Sequence, residues 1–137
     1  MPPQMLELFC GTGSFGAVFR AAGYLVVSLD SDAKWKPDIC VDVLQWDYKN
    51  AFSVGYFDVI TASPPCTEYS VALTTRPRNL DVGNEVVQRT LDIIAYFLPK
   101  RWILENPRTG LLKKQPFMQG IAFVDVDYCQ FSDWGQT

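Results

Sequence analysis

The chain has 137 residues, 48% hydrophobic and 20% charged, with a formal net charge of −3; that suits a single globular domain able to bury its core without staples. It contains no histidine, which excludes serine–histidine and cysteine–histidine hydrolases because their base is missing. Its four cysteines are scattered with no C-x-x-C pair, which argues against a zinc site or a disulfide scaffold.

In chain order, "MLELF" (5–9) reads as a short strand that ends in "CGTGSFG" and continues into "AVFRAAG". This is strand, glycine turn and helix, with Gly23 closing the helix. "YLVVSLD" (24–30), "DICVDV" (38–43) and "YFDVITA" (56–62) predict the second, third and fourth strands, the last running into Pro64 and Pro65. Residues 67–80 read as a loop. The apolar spacing of Val82, Val86, Leu91, Ile94 and Leu98 predicts a helix over 81–98, stopped by Pro99. "RWILEN" (101–106) predicts a fifth strand ending in Glu105 and Asn106, and "IAFVDVDYCQF" (121–131) a sixth.

Strands alternating with helices predict an α/β fold, mostly parallel, with right-handed crossovers. In such sheets ligands bind beyond the carboxyl ends of the strands. The polar groups Gly11–Gly16, Asp30, Asp42, Cys66 and Glu105 all fall at that edge, so one pocket can collect them.

"GTGSFG" (11–16) fits G-x-G-x-x-G, with Asp30 at the end of the next strand, where an acid accepts ribose hydroxyls. The pattern suits nicotinamide cofactors and S-adenosylmethionine alike. Asp42 is placed to accept an adenine amino group, and Trp35 and Trp46 read as packing residues. Cys66 sits on a stiff two-proline turn. A small buried residue is the commoner fate of cysteine, but a nucleophile needs such a held geometry. Glu105, at the end of a neighbouring strand, is a candidate proton donor.

The ordered set "LFCGTGSFG", "LDSD", "VDV", "SPPCTEYS", "ENP" and "VDYCQF" resembles the motif series of the cytosine-C5 methyltransferases, from Leu8 to Phe131. It is similar in particular to short members carried by bacterial viruses, in which Glu-Asn-Pro replaces Glu-Asn-Val. The resemblance implies a Rossmann-like methyltransferase fold with helices on both faces, S-adenosylmethionine as cofactor with S-adenosylhomocysteine as product, and double-stranded DNA with the target cytosine flipped out. Cys66 matches the nucleophile that attacks ring carbon 6, and Glu105 the carboxyl that protonates or hydrogen-bonds ring nitrogen 3. Asn106 matches a loop-positioning residue, Pro65 shapes the cofactor pocket and presents its carbonyl, and Pro64 is a candidate substrate or DNA residue. By the same match Phe9, Gly11, Thr12, Gly13 and Ser14 line the cofactor, Asp30 holds the ribose, Asp42 and Val43 meet the adenine, and Ser31 is a further cofactor-binding position. Ser70 matches a serine of the catalytic loop. Arg76 and Arg78 are candidate phosphate contacts, with solvated loop charges the equal alternative.

Two departures stand out. Ser31 replaces an aromatic residue that many members stack on adenine. The family's arginine-rich segment, target-recognition domain and C-terminal return helix have no counterpart before Thr137. The expectation is therefore one catalytic domain, 1–137, impaired alone and completed by a recognition domain or partner chain. The acidic balance agrees, since a self-sufficient nucleic-acid binder is usually basic. A cytoplasmic setting in a bacterium or phage-infected cell is expected, with neither membrane nor metal. The alternatives are a silent cofactor-binding module or half of a split enzyme, an RNA cytosine-C5 or amino-methyltransferase, and a nicotinamide oxidoreductase. The last leaves Cys66 and Glu105 without a role.

Overall fold

The computed structural model describes residues 2–64 and 80–105, and in its long helix the side chains from residue 83 onward. Leucine-, valine- and isoleucine-rich runs form five strands: β1 (Gln4–Leu8), β2 (Leu25–Asp30), β3 (Ile39–Cys40), β4 (Val59–Ala62) and β5 (Arg101–Leu104). All pair in parallel, in the order β3-β2-β1-β4-β5. A parallel sheet is covered on both faces, which explains why its central strands are apolar almost throughout rather than alternating. Val59 to Ala62 are all buried, as are Met5 to Leu8.

The two faces carry different cargo. Leu6, Leu8, Leu29, Ile60 and Ala62 join Ile93, Ile94 and Phe97 of α3 (Leu80–Phe97) in the main core, with Val43, Trp46, Tyr48 and Phe57 around them. On the opposite face α1 (Ser14–Ala21) lies over β1 and β2, where Gly16 faces Glu7 and Val26. Helix α1 stops as its sequence predicts. Gly23 adopts φ +94°, its amide donates to the Arg20 carbonyl at 3.0 Å, and Tyr24 donates to Phe19 at 2.9 Å.

Several expectations need correction, among them β1, which ends at Leu8 rather than Phe9, and β5, which ends at Leu104 rather than Asn106. β3 is two residues long rather than six. Val41 still donates to the Asp30 carbonyl at 3.0 Å, but Asp42 then turns the chain by accepting the Leu44 amide on Oδ1 at 2.9 Å and the Gln45 amide on its carbonyl at 2.9 Å. β4 starts at Val59, because the Asp58 carboxylate takes the Gln4 amide at 2.8 Å. In α3 the buried stripe is Val87, Thr90, Ile93, Ile94 and Phe97, whereas Leu98 is 69% exposed at φ +51°, just before Pro99. Trp46 is buried as a packing residue, but Trp35 is 39% exposed, with the Lys34 ammonium 4.9 Å from its ring centre. A short helix that the sequence pattern does not announce, α2 (Tyr48–Ala51), follows Trp46. The expected sixth strand (121–131) and nearly all of the expected loop (67–80) lie outside the described residues. Among the described residues no helix is long and apolar enough to cross a membrane.

Candidate functional site

β1 is central, with β2 on one side and β4 on the other, so the chain's direction across the sheet reverses between β1 and β4. That is the switch point at which open α/β sheets leave a crevice. Beyond β1 the backbone passes through φ +55° at Phe9, +50° at Gly11 and +81° at Gly13. Left-handed backbone costs a residue with a Cβ roughly 1–2 kcal/mol, so Phe9 is held there by its surroundings. The Cys10 amide donates to the Leu29 carbonyl at 3.0 Å and the Gly13 amide to the Cys10 carbonyl at 2.8 Å. Asp30 ties the turn down: Oδ2 accepts the Gly11 amide at 3.0 Å and Oδ1 the Asp32 amide at 2.9 Å. Gly13, without a capping side chain, opens α1, and the hydroxyls of Thr12 and Ser14 lie 3.1 Å apart.

Two cavities flank this turn. The first, about 260 Å³, is lined by Phe9, Leu29, Asp30, Ser31, Val41, Asp42, Val43, Ser63 and Val86. The second, about 250 Å³, is lined by residues Glu7 to Thr12, by Ser14 and Phe15, and by Ser63. Phe9 and Ser63, which follow β1 and β4, belong to both walls. The first cavity pairs apolar walls with the carboxylates of Asp30 and Asp42, and so suits a flat ring bearing hydrogen-bond donors. The second opens on the glycine turn and the start of α1.

The titratable groups divide in character. The Cys10 thiol is pushed up by burial and by the charges of Asp30 and Glu7, against a bond to Ser28; it stays protonated and is a poor nucleophile. Burial raises Glu105 above the usual carboxylate range, as a proton donor requires. Its backbone amide donates to the Ala62 carbonyl at 2.8 Å, and Ala62 pairs with Leu104, which puts Glu105 beside the end of β4.

Of the residues singled out in the sequence, Phe9, Gly11, Thr12, Ser14, Asp30, Ser31, Asp42 and Val43 line one or both cavities. Gly13 lines neither and serves as the cap of α1. Pro64 is buried and Glu105 is half-buried at the same edge. Pro65, Cys66, Ser70, Arg76, Arg78 and Asn106 lie outside the described residues. Ser63 and Val86 are wall residues that sequence reasoning passed over. Ser63 was open to inference, since it ends the strand before the proline turn; nothing local marks Val86. Among the described residues no three histidine, cysteine, aspartate or glutamate side chains cluster to hold a metal ion.

Comparison with known proteins agrees with this geometry. The profile of the C-5 cytosine-specific DNA methylase family matches residues 4–119. The probable DNA (cytosine-5)-methyltransferase of Frog virus 3 is 36% identical, over 96% of this chain and 65% of that protein. The type II methyltransferase M.AplI of Arthrospira platensis is 29% identical over 86% of this chain, and M.AgeI of Thalassovita gelatinovora 28% identical over 80%. The chain spans 35% and 28% of the lengths of those two bacterial relatives.

Proposed function

Because this chain belongs to the C-5 cytosine-specific DNA methylase family, we propose that it is the catalytic part of an enzyme that methylates carbon 5 of cytosine in DNA. The observation that carries the proposal is the junction of β4 and β5. There the Glu105–Ala62 bond sets a half-buried carboxyl of raised pKa beside the strand end that leads through Ser63 and Pro64 to Cys66.

In this reading the Cys66 thiolate bonds to ring carbon 6 of a cytosine flipped out of the duplex. Glu105 gives its proton to ring nitrogen 3, so the electron pair displaced from the ring double bond collects at carbon 5. S-adenosylmethionine, when bound, supplies the electrophilic methyl group. Loss of the carbon 5 proton to a base, departure of the Cys66 sulfur and return of the ring nitrogen 3 proton to Glu105 restore the ring. Asn106 and Pro65 frame the pocket, Ser70 belongs to the catalytic loop, and Arg76 and Arg78 meet phosphates.

The residues present fit the cofactor. Asp42 and the Val43 backbone meet the adenine edge, and Asp30 the ribose. Both Asp30 oxygens already accept backbone amides, yet each keeps a second lone pair for a hydroxyl. Phe9, Gly11, Thr12 and Ser14 line the path of the methionine part.

The test is transfer of a labelled methyl group to mixed-sequence duplex DNA. Cys66→Ser is expected to abolish transfer, and Glu105→Gln to slow it by about 10²–10⁴-fold. Activity should fall as rising pH ionises Glu105, a dependence that Glu105→Gln removes. Transfer to RNA alone, or transfer to DNA that survives Cys66→Ser, contradicts the proposal.

A further inference from the structure

The wall of the first cavity formed by Val41, Asp42 and Val43 has little sheet behind it, since β3 pairs with β2 through only Ile39 and Cys40. The bonds from the Leu44 and Gln45 amides to Asp42, and from the Trp46 amide to the Val43 carbonyl at 3.4 Å, are internal to the turn. They shape the turn without fixing where it sits. The Val41 amide's bond to the Asp30 carbonyl holds the start of the turn to β2, and Arg89 ties the rest of it to α3. Its Nε donates to the Val43 carbonyl at 3.0 Å and its Nη2 to the Trp46 carbonyl at 2.8 Å, 46 and 43 residues away in sequence. The guanidinium also lies over the Tyr48 ring, 4.7 Å from its centre. One turn earlier on the same helix, Val86 lines the same cavity as Val43.

We propose that Arg89 is a positioning residue for the cofactor: it clamps the turn that carries Asp42 and Val43 to α3 and so fixes two walls of the cavity relative to each other. The inference rests on the cofactor assignment made above. The planar fork is what the arrangement requires. Two carbonyls separated along the turn are met by two different nitrogens of one rigid group, which lies over the Tyr48 ring at the same time. A lysine ammonium is a point charge on a flexible stem; it keeps the charge and one bond but loses the fork. α3 also begins directly after residues 65–79, so the helix that Arg89 ties to the wall is the one that receives the segment bearing Cys66.

The experiment measures three quantities on the 137-residue chain, on Arg89→Lys and on Val59→Ala. They are the affinity for S-adenosylhomocysteine by calorimetry, the melting temperature, and amide hydrogen exchange. Val59 is buried on the α1 face and lines neither cavity, so its truncation lowers stability without touching the clamp. Arg89→Lys is expected to weaken S-adenosylhomocysteine by about 10-fold, the worth of one charge-assisted hydrogen bond. It should also speed exchange at Leu44, Gln45 and Trp46 beyond any effect of Val59→Ala. Val59→Ala should melt lower yet bind as the parent chain does. If Arg89→Lys binds as tightly as the parent, or leaves those three amides as protected as Val59→Ala does, the positioning role is overturned and Arg89 is a stability residue. If the unsubstituted chain binds no S-adenosylhomocysteine, the cofactor assignment itself falls and the inference with it, a failure visible before any substitution is made.

Discussion

Glu7 stands in the middle of β1, 2% exposed, where one bond from the Gly16 amide to Oε2 at 2.8 Å replaces only part of its lost hydration. Its other oxygen, Oε1, has no hydrogen-bond partner among the described residues, nor does the Thr61 hydroxyl that shares its register position on β4. Burial raises the Glu7 pKa above the ordinary 4.5, with the Gly16 amide and the Arg20 charge pulling the other way. The native state therefore holds this proton more tightly than the unfolded chain does. Stability contributed by that proton is fully present below pH 4.5 and is lost as pH rises through the native value. Glu7→Gln should accordingly show a smaller fall in melting temperature as pH rises above 4.5 than the parent chain does. Gly16 is the steric counterpart. A Cβ there would sit 2.6 Å from Glu7 Oε1 and 3.3 Å from Val26 Cγ1. Gly16→Ala is expected to lower stability by about 1–3 kcal/mol through overpacking, as denaturant unfolding would show. The glycine motif was legible in the sequence, but the close approach at Gly16 emerged only from the packing of α1 on β1 and β2. Glu7 was not, because inside "MLELF" it reads as an interruption in an apolar run, and only the tertiary contact with α1 gives it a role.

At the scale of elements, α3 joins the core to the cavity. Its buried side chains reach both the sheet and an aromatic group in which Phe97 meets Phe57 at 5.1 Å, Tyr48 at 6.1 Å and Trp46 at 6.3 Å between ring centres. Ile93 is fully buried within that core. Ile93→Ala should cost about 2–5 kcal/mol, measured by urea unfolding at constant slope. The helix itself was readable from its period and from Pro99, within one residue at each end. Its buried face was not. Spacing alone selected Leu91 and Leu98, whereas Thr90 is buried with its hydroxyl donating to the Val86 carbonyl at 2.8 Å, and Leu98 is turned out where the backbone prepares for proline. β3 failed in the same way. "DICVDV" has strand composition throughout, yet the Asp42 side chain competes for the backbone and ends the strand early.

For the molecule as a whole, the strand order β3-β2-β1-β4-β5 is what turns a list of motifs into a site. It sets the ends of β1 and β4 side by side, so that Phe9 and Ser63 line both cavities, and it puts Glu105 next to Ala62. Fold class and family were legible because the glycine turn, the strand-end acids, the Pro-Pro-Cys turn and Glu-Asn-Pro come in one order along the chain. The clamp by Arg89 and the burial of Glu7 were not, since each depends on contacts between residues far apart or on different elements. The family profile covers residues 4–119, which takes in both Cys66 and Glu105.

Covalent trapping tests the central claim most directly: the chain is incubated with S-adenosylmethionine and mixed-sequence duplex DNA containing 5-fluorocytosine, and the product is mapped by peptide mass spectrometry. Fluorine at carbon 5 blocks the loss that would release the thiol, so the account predicts a stable adduct on the peptide carrying Cys66, absent from Cys66→Ser. An adduct that survives that substitution, or that maps to Cys10, Cys40 or Cys129, would contradict it.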